Sequence, residues 1–242
     1  MENEMRMEKR KVIDEPRAID LTVESAPPAQ ILEALGATAA PADVVRSTLE
    51  SVDAANAMIA HGLVQPRLIA AEYVIDSLIS DGIVIDGHTI IPCDGSLFEG
   101  VDRIIAAVIT LGPGLEQAVR SAFAGNDPLS AIILDTAGTI LIRNASRRFQ
   151  RECAARAGAV GLELGPRVSP GCSAVPLEAQ KALFSLLDAR SIGVTLAESL
   201  LMTPLKSVSL ILPLAAALPE RLRAFSMCHT CRHSNKCMQI TL

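Results

Sequence analysis

Aromatic residues are nearly missing from this 242-residue chain, which has five Phe, one Tyr and no Trp. Hydrophobic residues still make up 50% of it, so the core must be built from Ala, Leu, Ile and Val. The shortage argues against surfaces on which single-stranded nucleic acid bases stack. Positive charge is not in excess either. A net charge of -5 and a pI near 5.4 leave no electrostatic footprint for a polyanion, so no nucleic acid partner is expected. Long apolar runs are lacking as well. The longest, residues 104–111 and residues 210–218 with Pro213 inside, fall short of the roughly 20 residues a spanning helix needs, and no membrane partner is expected. The first 17 residues carry charges of both signs and no apolar signal core, which predicts a cytoplasmic protein.

At about 150 residues per domain the length allows one large domain or two small ones. Composition divides it into a polar, partly ordered arm at 1–27, a main domain at 28–218 and a Cys-rich tail at 219–242. Val45, Leu49, Val52 and Ile59 follow helical spacing after Pro41. Two β-rich tripeptides, 83–85 and 89–91, flank Asp86-Gly87 and predict a hairpin. The run 103–111 predicts a strand buried on both faces, followed by a Gly112-Pro113-Gly114 turn into a helix at 115–123. This turn lacks the spacing of a phosphate-binding loop. Asp127-Pro128 starts another helix, running to about residue 157, apolar in its first half and basic in its second. The first half should be buried and the second should emerge, with the basic stretch 143–156 as a solvated face or a dock for an acidic partner. A helix at 177–187 and strands at 192–196 and 207–212 complete the reading. Helices and strands interleave irregularly, so the fold class is α+β.

Residues 165–176 form the most unusual segment, with three prolines, two glycines and one arginine. Arg167 can pair a carboxylate bidentately, and the small residues after it let backbone approach a ligand closely. A structural loop with a solvated arginine is the competing interpretation. His61 and His88 have no sequence-adjacent partners and read as surface residues.

The run R-V-S-P-G-C-S-A-V-P-L-E-A-Q-K-A-L-F-S-L-L-D, followed by I-G-V-T-L-A-E-S-L-L-M-T-P-L-K-S-V-S-L-I, resembles the S-adenosylmethionine-binding activation domain of cobalamin-dependent methionine synthase, above all its free-standing forms. Shorter pieces, I-L-E-A-L-G, V-I-T-L-G and L-D-T-A-G, extend the likeness over residues 28–240, with its specific part at 165–212. The resemblance implies a twisted, largely antiparallel sheet with flanking helices. It also implies a role in methionine biosynthesis, as a stand-alone subunit that reactivates methionine synthase or a related corrinoid methyltransferase. In that family an electron donor reduces oxidised cobalamin carried by the partner, and S-adenosylmethionine traps the reduced cobalt by methylation. Carried over, Arg167 holds the methionine part of the ligand, Ser169 offers its backbone, and Pro170 and Gly171 shape the turn. Cys172 stands where the family pattern has tyrosine. The family's acidic ligand contact has no matched position; Asp135 and Glu116 are the acids at hand.

Cys228, Cys231 and Cys237, with His229 and His233 interleaved, have the spacing of a metal site. Zinc with one histidine, or an iron–sulfur cluster with one open iron, fits these residue types. Two other functions are therefore expected alternatives: a non-catalytic module that recognises a corrinoid protein, and an electron-transfer accessory centred on the tail.

Overall fold

The computed structural model describes residues 12–13, 17–20 and 25–226. Its central sheet has the order β1 (Arg17–Asp20), β2 (Arg67–Val74), β6 (Arg103–Thr110), β10 (Ser207–Ala215) and β7 (Glu163–Leu164), with every neighbour pair antiparallel. All eight residues of β6 are buried, as its apolar run predicts. Alternation along the strand sends Ile104, Ala106 and Val108 to one face and Ile105, Ala107 and Ile109 to the other.

The first face is covered by a small sheet of β3 (Ser77–Ile79), β4 (Gly82–Ile85) and β5 (Thr89–Pro92), and by helix α5 (Ala179–Leu186). Asp86 and Gly87 both adopt positive φ, 51° and 70°, as a primed hairpin turn requires. The lone tyrosine, Tyr73, reaches from β2 to donate to the Leu186 carbonyl at 2.6 Å, tying α5 to the sheet.

Helix α4 (Pro128–Ala159) covers the second face. Asp127 caps it by accepting from the Ser130 N–H at 3.1 Å, and Pro128 occupies the first turn, where no backbone donor is needed. Its first half packs on α1 (Pro28–Ala34), α2 (Ala42–Met58) and α3 (Gly114–Ala124) through Ile133, Ala137, Ile140 and Leu141. The second half does not simply emerge into solvent. Ala145, Phe149, Cys153 and Ala157 continue a buried stripe on β2, β6 and β10, and Arg147, Arg148, Arg151 and Arg156 are among the residues that face outward. The buried face of α2 is likewise rotated from the expected one, to Thr48, Val52 and Ala55. The expected strand at 192–196 is shorter: a 3₁₀ turn at Ala189–Ile192 ends at Gly193, φ 79°, leaving only β8 (Thr195–Leu196), which pairs with β9 (Met202–Thr203).

Gly114 shows why the turn before α3 needs glycine. A Cβ there would lie 2.2 Å from the Leu63 carbonyl oxygen, a backbone atom that cannot step aside. Gly114→Ala is therefore expected to destabilise the protein by about 1–3 kcal/mol through overpacking, read as a lower urea midpoint at unchanged slope.

Candidate functional site

The segment after β7 runs beside β10. Gly165 donates to the Pro213 carbonyl at 2.7 Å, and Val168 and Ile211 exchange backbone hydrogen bonds at 2.9 and 2.8 Å. This pairing fixes the alternation of side chains. Val168 enters the core on the α5 side, so Arg167 and Ser169 both point to the opposite face, toward α4. There Arg167 Nη1 donates to Ser146 Oγ at 3.0 Å. Ser146 is fully buried, and its hydroxyl fixes the direction of the guanidinium. Ser169 Oγ is buried without a hydrogen-bond partner among the described residues.

Pro170 and Gly171 then turn the chain back. Gly171 has φ 92°, its N–H donates to the Val175 carbonyl at 2.9 Å, and the Cys172 N–H donates to the Ser169 carbonyl at 3.1 Å. Cys172 is half-buried and packs against the core on the α5 side. Arg167 and Ser169 thus share one face, and Cys172 lies past the turn against the other.

Three of the motif fragments meet at the start of β10. Lys206 Nζ sits 2.9 Å from Asp135 Oδ1 and 2.9 Å from Thr139 Oγ1, both on α4. Glu116 accepts a hydrogen bond from the Leu205 N–H. Ser207 Oγ lies 2.7 Å from the Pro204 carbonyl and 2.9 Å from Thr110 Oγ1. A Cβ on Gly138 would collide with Leu115 Cδ2 at 2.1 Å and press on the Lys206 stem at 3.2 Å. L-D-T-A-G and K-S-V-S therefore read as one anchor that joins α3, α4 and β10. Asp135 and Glu116 are engaged in it.

Arg143 departs most from expectation. It belongs to the stretch read as a solvated face, yet it is 8% exposed, and none of its three guanidinium nitrogens has a hydrogen-bond partner among the described residues. Desolvation, and then the neighbouring Arg147, hold its pKa below the usual guanidinium range. Sequence reasoning missed it because the basic run looks uniform. The available signal was its place three residues before Ser146, on the stripe that runs from Ile140.

His61 and His88 are exposed, as read from the sequence. Cys93 and Cys153 are buried, and burial pushes each thiol up to about 12 from an ordinary value of 9.0. Folding thus favours the protonated thiols, a contribution fully present below pH 9 and lost as the pH rises from there toward 12. Urea midpoints are expected to fall on that alkaline limb, and less steeply in Cys93→Ala and Cys153→Ala. Among the described residues no group of three His, Cys, Asp or Glu is placed to hold a metal. Cys228, Cys231 and Cys237 lie outside the described residues. Among the described residues, no helix is long and apolar enough to cross a membrane.

An open antiparallel sheet, with one long helix on one face and a small sheet and short helices on the other, defines an activation-domain fold. The chain shares it with a crystal structure of the MetH reactivation domain bound to AdoHcy. The two align with a TM-score of 0.62 over 93% of this chain and 87% of that one, at 14% sequence identity. No family model and no curated protein matches the sequence.

Proposed function

We propose that this chain binds S-adenosylmethionine and acts as a free-standing reactivation subunit for a cobalamin-dependent methionine synthase or another corrinoid methyltransferase. The observation that carries the proposal is Arg167, presented by the 165–172 loop of an activation-domain fold and oriented by a buried serine. The residues present suit such a ligand. A guanidinium held in one direction matches a carboxylate, and Ser169 Oγ is a buried hydroxyl without a partner among the described residues. Gly171 at positive φ keeps the turn open to close backbone approach. Bound there, S-adenosylmethionine supplies a methyl group to the cobalt of a corrinoid carried by the partner.

The chain's own contribution is to bind and orient. Arg167 holds the amino-acid end and Ser169, Pro170 and Gly171 form the wall beside it, while Cys172, where the family pattern has tyrosine, lies past the turn on the other face. The solved neighbour carries AdoHcy, which supports an S-adenosyl ligand in this fold. An external donor brings the electron; Cys228, Cys231 and Cys237 would be the residues to hold a metal, which would supply redox chemistry there if it were an iron–sulfur cluster. The test is reconstitution: an inactive corrinoid methyltransferase, a chemical reductant and S-adenosylmethionine, with methylcobalamin formation followed by absorbance. Formation that depends on this chain supports the role. Equal formation without it removes the role.

A further inference from the structure

The guanidinium of Arg143 is a buried cation with no hydrogen-bond partner among the described residues, and arginine cannot escape that state by losing its proton. Burial of an unpaired charge is costly, and an anion bound beside it would offset that cost. Its position shows what lies beside it. Helix α4 runs alongside β10, with Thr139 at Lys206 and Ser146 at Arg167. The Val168–Ile211 bridge sets Arg167 beside Leu212 and Ser169 beside Leu210 on the α4 side. Arg143 lies one turn after Thr139 and one turn before Ser146. It therefore faces the sheet between Lys206 and Arg167, at the level of Ser169. Lys206 is matched by Asp135. Near Arg143 the next charge along the helix is that of Arg147, which repels it.

We infer that Arg143 and Arg167, with the Ser169 hydroxyl, form an oxyanion site on the sheet-facing side of α4 that takes the carboxylate or phosphate of a small molecule. Two guanidinium groups and a hydroxyl suit a group with at least two oxygens. Because Arg167 is common to both, the inference deepens the reading above. For an S-adenosyl ligand the anion is its carboxylate, and Arg143 is a further binding residue that the sequence motif does not contain.

The full chain and Arg143→Met are titrated by calorimetry with S-adenosylhomocysteine, with 5′-methylthioadenosine, which lacks the amino-acid end, and with inorganic phosphate at constant ionic strength. Thermal unfolding of both proteins is recorded without ligand. Arg143→Met is expected to raise the melting temperature of the free protein and to weaken S-adenosylhomocysteine by about tenfold or more, with 5′-methylthioadenosine unchanged. Arg143→Gln, which keeps a polar side chain, should show the same loss of affinity and serves if the Met variant does not fold. Equal affinities for S-adenosylhomocysteine and phosphate in wild type and variants overturn the oxyanion site and leave the S-adenosyl reading standing. Phosphate binding that requires Arg143, with no S-adenosylhomocysteine binding, supports the site and removes that reading. Binding of none of the three overturns both.

Discussion

Arg167→Ala is expected to weaken S-adenosylmethionine by about a hundredfold or more, because truncating one partner of a desolvated charge pair leaves the other uncompensated. The effect should be specific to ligands with an amino-acid carboxylate. Adenosine, which has none, should bind wild type and variant alike. Ser146 loses a hydrogen bond at its buried hydroxyl, so the variant should also unfold about 1 kcal/mol earlier. That cost is small enough to leave a folded protein for the titration. Arg167→Lys should recover only part of the affinity, since a lysine ammonium cannot form the two parallel bonds of a guanidinium. A variant with wild-type affinity for the carboxylate ligand would place the binding residue elsewhere.

Glu72→Ala carries the largest expected loss of stability, about 3–5 kcal/mol, because it breaks a buried ion pair from one side. Glu72 Oε1 sits 2.8 Å from Arg103 Nη1, and the two side chains are 4% and 6% exposed. Its other oxygen accepts the N–H groups of Val12 and Ile13 at 2.7 and 3.2 Å, so the same carboxylate fastens that segment to the sheet. Urea unfolding should show the loss directly. Replacing both partners by apolar residues of similar volume, Glu72→Met with Arg103→Leu, should recover much of it, since the desolvation of both charges is then avoided. If the single variant is as stable as wild type, the pair is not held as described.

The elements that were legible in the sequence are those with a local cause. Strand β6 is a closed apolar run stopped by Gly112 and Pro113, and α4 begins where Asp127 caps and Pro128 needs no donor. The hairpin turn at Asp86-Gly87 follows from the residues that tolerate positive φ. The rest depends on packing between distant segments. Ile192 to Leu196 looks like a strand in composition, but Gly193 completes a 3₁₀ turn there. Burial of Arg143 was hidden for a related reason: whether a helical arginine is solvated depends on the sheet beneath it, and the strands of that sheet come from far apart in the chain. At the candidate site, the motif gave Arg167 and the turn after it. What it did not give was the helix face opposite, where Ser146 meets Arg167.

The aromatic shortage also acquires a structural meaning. Phe98 and Phe149 serve the core, Tyr73 is bound to the Leu186 carbonyl, and Phe123 is on the surface, 55% exposed. None belongs to the 165–172 loop, where a small thiol residue follows Gly171. On the function proposed above, recognition at that loop rests on charge and hydrogen bonds rather than on ring stacking.

Titration of the full wild-type chain with S-adenosylmethionine and S-adenosylhomocysteine in a calorimeter tests ligand binding directly. Saturable binding of both at one site per chain, with dissociation constants of about 1 mM or tighter, is the expected result. Absence of heat and of any thermal stabilisation at several millimolar ligand, in protein shown to be folded, would contradict it.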